Sequence, residues 1–258
     1  MAGDWNPELY RRFEDERTRP ARDLLARVPL EAPTHVFDLG CGPGNSTELL
    51  VERFPAAQVV GTDNSEAMLA SARQRLPGCR FEFGDVAHFE ALPPADLLFS
   101  NAVLHWVPGH EALLPRLFAQ LAPGGVLAVQ MPDNRDEPTH RLMREVAALP
   151  AYAGHIGEAA RAGAQILPLA AYYDLLAPLA AEVDVWRTAY QHPLDSPAKI
   201  VEWVRSTGLK PFIDPLPDAL REAFLAEYES RIAEAYPARA DGCRLLAFPR
   251  LFIVARRP

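Results

Sequence analysis

The residues best placed to do chemistry are Asp38, Asp63, Asp85 and Asn101, each of which closes a short strand-like run. Asp38 ends His35-Val36-Phe37 and begins Asp38-Leu39-Gly40-Cys41-Gly42-Pro43-Gly44, with three glycines at alternate positions. Glycine at this spacing lets the backbone turn tightly and lie close against a bound molecule. Asn45 is read as an N-cap, with Glu48 three residues on, for a helix carrying Leu49, Leu50 and Phe54. A strand, a glycine turn and a helix start make a nucleotide-sized site at the carboxyl end of a parallel strand. Two phosphate-binding turns do not fit. The dinucleotide fingerprint needs glycine where Asn45 stands, and the P-loop needs a Gly-Lys-Ser/Thr run that the chain lacks. A carboxylate at the strand end suits a cationic ligand group better than a pyrophosphate.

The other polar residues fall in a consistent order. Asp63 ends Gln58-Val59-Val60-Gly61-Thr62, twenty-five positions beyond Asp38. That is close to the ~20-residue offset at which an acidic residue meets ribose hydroxyls in nucleotide folds. Its two acceptor oxygens can take both O–H donors of a cis-diol. An ordinary turn residue is the plainer reading of this position. Asn101 can offer a carbonyl to a cationic group. His105 and Trp106 follow it; a structural histidine and a core tryptophan are the commoner readings of such residues, by roughly two to one.

Elements to position these residues are legible along the chain. Ser65 caps a helix with Met68, Leu69, Ala72 and Leu76 at helical spacing. Cys79–Phe83 alternates as a third strand, and Asp96–Ser100 is a compact apolar fourth. Leu113, Leu114, Leu117, Phe118 and Leu121 mark a helix whose first turn best accommodates Pro115. Pro123-Gly124-Gly125 turns the chain into a fifth strand, Val126–Met131. Residues 138–180 have helical spacing and read as a cap, and Val183–Tyr190 as a sixth strand. Helical segments near 196–206 and 216–236 follow, and Leu245–Ala255 is a last strand whose Pro249 marks an edge or bulge. The fold class is α/β: a Rossmann-like, doubly wound, mostly parallel seven-stranded sheet with a helical cap inserted after the fifth strand. A single domain over 1–258 is expected, with an N-terminal helical segment (1–30), a ligand-binding half (31–132), the cap (133–180) and a second half (181–258).

Composition narrows the functional classes. The 258 residues carry a net charge of −8, which argues against nucleic acid as a partner. A small anion needs only a local cluster of arginines and is not excluded. No apolar run has the length of a membrane span, and the N-terminal segment is charged without an apolar core, so neither a membrane nor a secretory leader is expected. Cys41, Cys79 and Cys243 are too scattered for a disulfide framework or a zinc site, so no metal is expected and a cytoplasmic setting is. Twenty-five prolines, about twice the average share, are spread through turns rather than gathered in a linker.

The run Asp38-Leu39-Gly40-Cys41-Gly42-Pro43-Gly44 resembles the first motif of the Rossmann-like S-adenosylmethionine-dependent methyltransferases. That resemblance implies S-adenosylmethionine as cofactor, contacted by Asp38, Gly40, Gly42, Asp63, Asn64, Asp85, Val86, Asn101 and Ala102. Asp85 would accept from the adenine amino group and the Val86 amide would meet a ring nitrogen. A longer resemblance covers nearly the whole chain. It rests on Trp5-Asn6-Pro7 with Tyr10, Val36–Gly44, Asn101-Ala102 with His105-Trp106, Pro123-Gly124-Gly125, Trp203-Val204, Thr207-Gly208-Leu209 with Pro211, and Pro249–Ala255. These are similar to the trans-aconitate 2-methyltransferase family. Arg205-Ser206 departs from it, since a smaller lead-in such as Lys-Gly is expected there.

The implied reaction is carboxyl O-methylation of trans-aconitate or a similar small tricarboxylic acid. A carboxylate is already ionised at neutral pH (pKa near ~4), so no general base is required and no catalytic residue is assigned. His105 and Trp106 would position the acceptor. Arg205, Thr207 and Arg250, with Trp203 and Tyr190, would bind the remaining carboxylates. For each arginine a solvated surface role is an equal alternative. Trp5 and Tyr10 would fold over the cofactor, or pack in the core. Two alternatives stay open: a methyltransferase for another carboxylate or hydroxyl, such as a carrier-bound malonyl group, and a non-catalytic cofactor-binding module.

Overall fold

A computed structural model describes residues 14–157, 166–205 and 208–258. Seven strands form one sheet in the order β3-β2-β1-β4-β5-β7-β6. They are β1 (His35–Leu39), β2 (Gln58–Asp63), β3 (Arg80–Phe83), β4 (Ala95–Asn101), β5 (Leu121–Pro132), β6 (Glu182–Leu194) and β7 (Arg244–Arg256). β1 pairs parallel with β2 and β4, β2 with β3, and β4 with β5, whereas β7 runs antiparallel to β5. The doubly wound, mostly parallel seven-stranded sheet expected from the sequence is therefore present.

The described residues divide into two compact units. One holds the residues up to Pro132 with Ile166–Arg187 and Arg250–Pro258, and the other holds Asp133–Gln165 with Thr188–Pro249. In the first, Leu97, Leu98, Phe99, Leu127, Ala128 and Val129 are wholly buried. Near-continuous apolar runs of this kind are what a parallel strand covered on both faces requires. In the second, helix Asp218–Ala235 buries Phe224, Tyr228 and Ile232. Tyr152 packs edge-on to Phe224 at 5.2 Å, and the Tyr228 hydroxyl donates to the Thr139 carbonyl at 3.0 Å.

Four local expectations are corrected. Asn45 is the first helical residue of Asn45–Arg53, and the capping position is Gly44, left-handed at φ 93° with no side-chain cap. Helix His110–Phe118 starts early enough to place Pro115 in its second turn. The missing N–H there faces the carbonyl of exposed Glu111, where water can substitute. Pro249 does not mark an edge strand, because β7 lies between β5 and β6. Instead Pro249 sits just outside the β5–β7 pairing, which begins at Pro132 and Arg250, and its carbonyl accepts from the Asp133 N–H. The cap expected over 133–180 is divided. Helices Pro138–Ala147 and Pro150–Ala153 belong to the second unit, but Leu169–Leu176 packs in the first against helix His110–Phe118.

That last packing turns on one hydroxyl. Tyr172 is wholly buried, its hydroxyl accepts from the Leu167 N–H at 2.9 Å, and it lies 2.6 Å from Nδ1 of buried His110. His110 Nε2 lies 2.8 Å from the Leu104 carbonyl, which ties the helix back to the segment after β4. Tyr172→Phe removes the hydroxyl partner of the buried His110 Nδ1 and of the half-buried Leu167 N–H. A stability loss of about 1–3 kcal/mol is expected in a denaturant titration, and a loss below measurement error would show that the hydroxyl is dispensable.

Candidate active site

The glycine turn is built around a buried carboxylate. Asp38 is fully buried, and its Oδ2 accepts from the hydroxyls of Ser46 and Thr47, both at 2.7 Å. Those distances are typical of charge-assisted bonds. Its Oδ1 is buried and meets no hydrogen-bond partner among the described residues. Burial pushes the Asp38 carboxyl up to about 6, against the pull of the Thr47 and Ser46 hydroxyls, and the neighbouring Asp63 charge adds to the rise. Burial likewise raises the Cys41 thiol, so Cys41 is a packed, unreactive residue of the turn.

The turn itself is tied to β2. The amides of Gly40 and Cys41 donate to the Thr62 carbonyl at 2.8 and 2.9 Å. The Gly42 N–H donates to Asp63 Oδ2 and the Ser65 N–H to Asp63 Oδ1, each at 2.9 Å. These bonds orient the Asp63 carboxylate at the end of β2. Gly40 has φ 72°, and a Cβ there would stand 2.3 Å from the Val103 side chain. Only glycine fits. Ser65 caps helix Glu66–Arg75 by accepting from the Met68 N–H, as expected from the sequence. Asn64 is exposed between them.

Further along the same strand ends, Asp85 is exposed and its Oδ1 accepts from the Ala87 N–H at 2.9 Å, closing a short turn that buries Val86. The Arg116 guanidinium holds that turn from beneath, donating to the carbonyls of Phe89, Val86 and Ala87. Asn101 ends β4 with a buried Oδ1 that also meets no partner among the described residues. Ala102 follows at φ 58°, a left-handed conformation uncommon outside glycine. Its N–H donates to the Gln130 carbonyl at 2.9 Å. Backbone in such a region persists where the surroundings hold it, often at functional sites. The His105 and Trp106 rings lie 4.7 Å apart, and Trp106 is 48% exposed, which overturns the core-packing reading of that residue.

Residues expected to bind the acceptor fall in both units. Tyr190 and Trp203 are buried in the second, where Trp203 packs on His192 at 4.5 Å and edge-on to Phe248 at 6.0 Å. Arg205 is exposed at the end of helix Pro197–Arg205. Arg250 is buried in the first unit, paired with Pro132 in the β5–β7 ladder. Thr207, like Trp5 and Tyr10, lies outside the described residues. The structure therefore brings Asp38, Asp63 and Asn101 to neighbouring strand ends of one unit, beside Gly40, Gly42 and Ala102.

Three polar residues around the turn and the strand ends went unassigned in the sequence. Ser46 and Thr47 are hydroxyls in the first turn after the glycines, a position that Asn45 obscured. Gln130 is a polar residue inside the apolar run Val126–Met131, and that interruption was the available signal.

The chain matches the family model described as a methyltransferase domain over residues 36–125. It is 68% identical to the trans-aconitate 2-methyltransferase of Variovorax paradoxus over 255 residues, covering 98% of both chains. It is 67% identical to that of Paracidovorax citrulli over 256 residues, again covering 98% of each. Among solved structures, the YcgJ protein of Bacillus subtilis shares the fold at a TM-score of 0.60 and 11% identity, over 93% of this chain and 98% of that one. The strand order and the acidic glycine turn define an S-adenosylmethionine-dependent methyltransferase of the Rossmann-like class. Within that class, the chain belongs to the trans-aconitate 2-methyltransferase family.

The local chemistry fits the cofactor's charged end. Asp38 Oδ1 and Asn101 Oδ1 are buried acceptors without partners among the described residues, which is what an ammonium donor requires. The Asp38 carboxyl also sets a pH dependence. Its folded pKa lies above the unfolded value, so its contribution to ligand-free stability is present below about pH 4 and lost as pH rises through about 6. Over that window the ligand-free wild type is expected to lose, relative to Asp38→Asn, on the order of 3 kcal/mol. Melting curves of the two proteins at successive pH values test this, and parallel curves would refute it.

Proposed function

We propose that the chain transfers a methyl group from S-adenosylmethionine to a carboxylate of trans-aconitate or a similar small tricarboxylate, giving a monomethyl ester. The observation that carries the donor half is a pair of buried acceptor atoms without partners among the described residues, Asp38 Oδ1 and Asn101 Oδ1, at adjoining strand ends. The acceptor half rests on membership of a family whose relatives in Variovorax paradoxus and Paracidovorax citrulli are named trans-aconitate 2-methyltransferase.

In this reading Asp38 and Asn101 receive the amino end of the cofactor. Asp63, oriented by the Gly42 and Ser65 amides, accepts from the ribose hydroxyls with Asn64 beside it. Asp85 and the Val86 amide address the adenine. Gly40 and Gly42 keep the turn free of side chains, so the backbone lies against the ligand, and Ala102 continues that backbone beyond Asn101. Bound S-adenosylmethionine supplies an electrophilic methyl group on a sulfonium centre. The chain's own contribution is to align that centre with the acceptor oxygen. Positioning of this kind reaches ~7–11 kcal/mol in favourable cases. The acceptor carboxylate is anionic at neutral pH and needs no proton removed, so no side chain is asked to act as a base.

His105 and Trp106 form the rim on which the acceptor is positioned. Arg205, Thr207 and Arg250, assisted by Trp203 and Tyr190, take the carboxylates that are not methylated. Arginine suits that task because its planar fork matches a carboxylate. Cys41, Cys79 and Cys243 are all free thiols, which supports a cytoplasmic setting. Among the described residues no helix is long and apolar enough to cross a membrane.

A turnover assay with trans-aconitate and S-adenosylmethionine, read by mass, is expected to yield the monomethyl ester. Tight donor binding with no ester from any small tricarboxylate would overturn the proposed acceptor. Arg205→Ala is expected to raise the KM for the tricarboxylate several-fold and leave donor affinity unchanged, because it removes a contact with the acceptor alone. An unchanged KM would remove Arg205 from the carboxylate-binding set.

A further inference from the structure

Three neighbouring strands carry, on one face near their carboxyl ends, polar atoms without partners among the described residues: Asp38 on β1, Asn101 on β4 and Gln130 on β5. The register pairs Asp38 with Phe99, two residues before Asn101, and pairs Asn101 with Gln130. Because side chains alternate along a strand, all three point to the same side of the sheet. Adjacent strands are ~4.8 Å apart, so the Asn101 and Gln130 side chains are immediate neighbours.

Gln130 is the least expected of the three. It is wholly buried, and neither Oε1 nor Nε2 meets a hydrogen-bond partner among the described residues. An unmet buried polar group destabilises the folded chain, and Gln130 presents two. The rest of the run is Val126-Leu127-Ala128-Val129 and Met131, so an apolar side chain would serve the core better. Packing therefore gives no reason for an amide here. Groups left unsatisfied in a folded chain point to a ligand that satisfies them.

The ligand's chemistry follows from what the cluster offers. Asp38 Oδ1 and Asn101 Oδ1 can only accept hydrogen bonds. Gln130 adds a further acceptor, Oε1, and a donor, Nε2, on the next strand. With both atoms unpaired, nothing among the described residues forces one flip of the amide over the other. An α-amino acid presents the complement, an ammonium with donors beside a carboxylate with acceptors. We propose that Gln130 binds the amino-acid end of the methyl donor, with Nε2 donating to its α-carboxylate while Oε1, with Asp38 and Asn101, accepts from its α-ammonium. This rests on the reading of the donor as S-adenosylmethionine and deepens it. It makes Gln130 a binding residue that recognises a zwitterion.

The test uses the full chain with S-adenosylhomocysteine and 5′-methylthioadenosine, which share the nucleoside and thioether but differ in the amino-acid group. Dissociation constants are measured by calorimetry for wild type, Gln130→Met and Gln130→Glu. Gln130→Met is expected to weaken S-adenosylhomocysteine binding at least tenfold and leave 5′-methylthioadenosine within twofold. Its ligand-free Tm should equal or exceed that of wild type, since an unsatisfied amide has been replaced by a side chain of similar size. Gln130→Glu is expected to weaken S-adenosylhomocysteine selectively as well, by placing a carboxylate against a carboxylate. Unchanged S-adenosylhomocysteine affinity would overturn the proposal. So would equal losses for both ligands or failure of both variants to fold, which mark a structural role. A raised KM for the tricarboxylate with donor affinity intact would overturn it by reassigning Gln130 to the acceptor. Failure of wild type to bind either nucleoside would instead defeat the donor reading itself.

Discussion

The geometry of the donor side depends on how a fully buried carboxylate is kept in place. Among the described residues, no cation figures in the surroundings that set the Asp38 proton affinity. The carboxylate is held by the Ser46 and Thr47 hydroxyls on one oxygen, and burial raises its proton affinity. Those two hydroxyls stand in the first turn of the helix that follows the glycines, so the bonds that satisfy the carboxylate also fix the helix against the end of β1. Gly44 can then begin the helix without a side-chain cap, because the helix start is anchored from within. The Asp63 carboxylate repeats the device on the next strand, gripping the turn through the Gly42 amide and the following helix through Ser65. Two acids thus clamp one loop.

The glycine turn needs a third constraint, which comes from β4. The close approach of Val103 to Gly40 leaves no room for a Cβ, so the segment after Asn101 is packed directly on the turn. The left-handed Ala102 carries the chain from the end of β4 into that contact, and its N–H is secured by the Gln130 carbonyl. Backbone strain at Ala102 and close contact at Gly40 therefore have a common origin: β1 and β4 are adjacent, and both loops leave at the same level. The sheet order places the polar strand ends in one neighbourhood before any ligand is considered.

Most of this frame was legible in the residues. Alternating glycines after an acid and the run of short apolar strands point to the doubly wound sheet, an arrangement that buries its strands on both faces. That Asp63 and Asn101 stand at strand ends could be read from position alone. What stayed hidden was set by partners distant in sequence or by crowding between two polar candidates. Asn45 has the better capping propensity, yet Gly44 takes that position because Ser46 and Thr47 must face Asp38. Pro249 has the look of an edge residue, but the pairing of β7 with β5 begins one residue later. The helix Leu169–Leu176 is helical by its spacing. Its place beside His110–Phe118 depends on a Tyr172 hydroxyl meeting a histidine 62 positions away, which no local pattern records.

Methylation of a carboxylate asks little of a protein in proton transfer and much in placement. An enzyme of this family therefore leaves its trace in groups that folding alone would not choose, since no acid–base pair need be present. Asp38, Asn101 and Gln130 are such groups: each holds a buried side-chain atom that meets no hydrogen-bond partner among the described residues, and at Gln130 an apolar residue would relieve the folded chain of that cost. Local rules that fail together at neighbouring positions mark where stability has been yielded to binding. The three failures converge on one face of the three central strands β1, β4 and β5, where rigid, fully packed strands hold them. A site whose work is alignment gains most from such a base, because a side chain rooted in the sheet interior has little freedom to move away from its ligand.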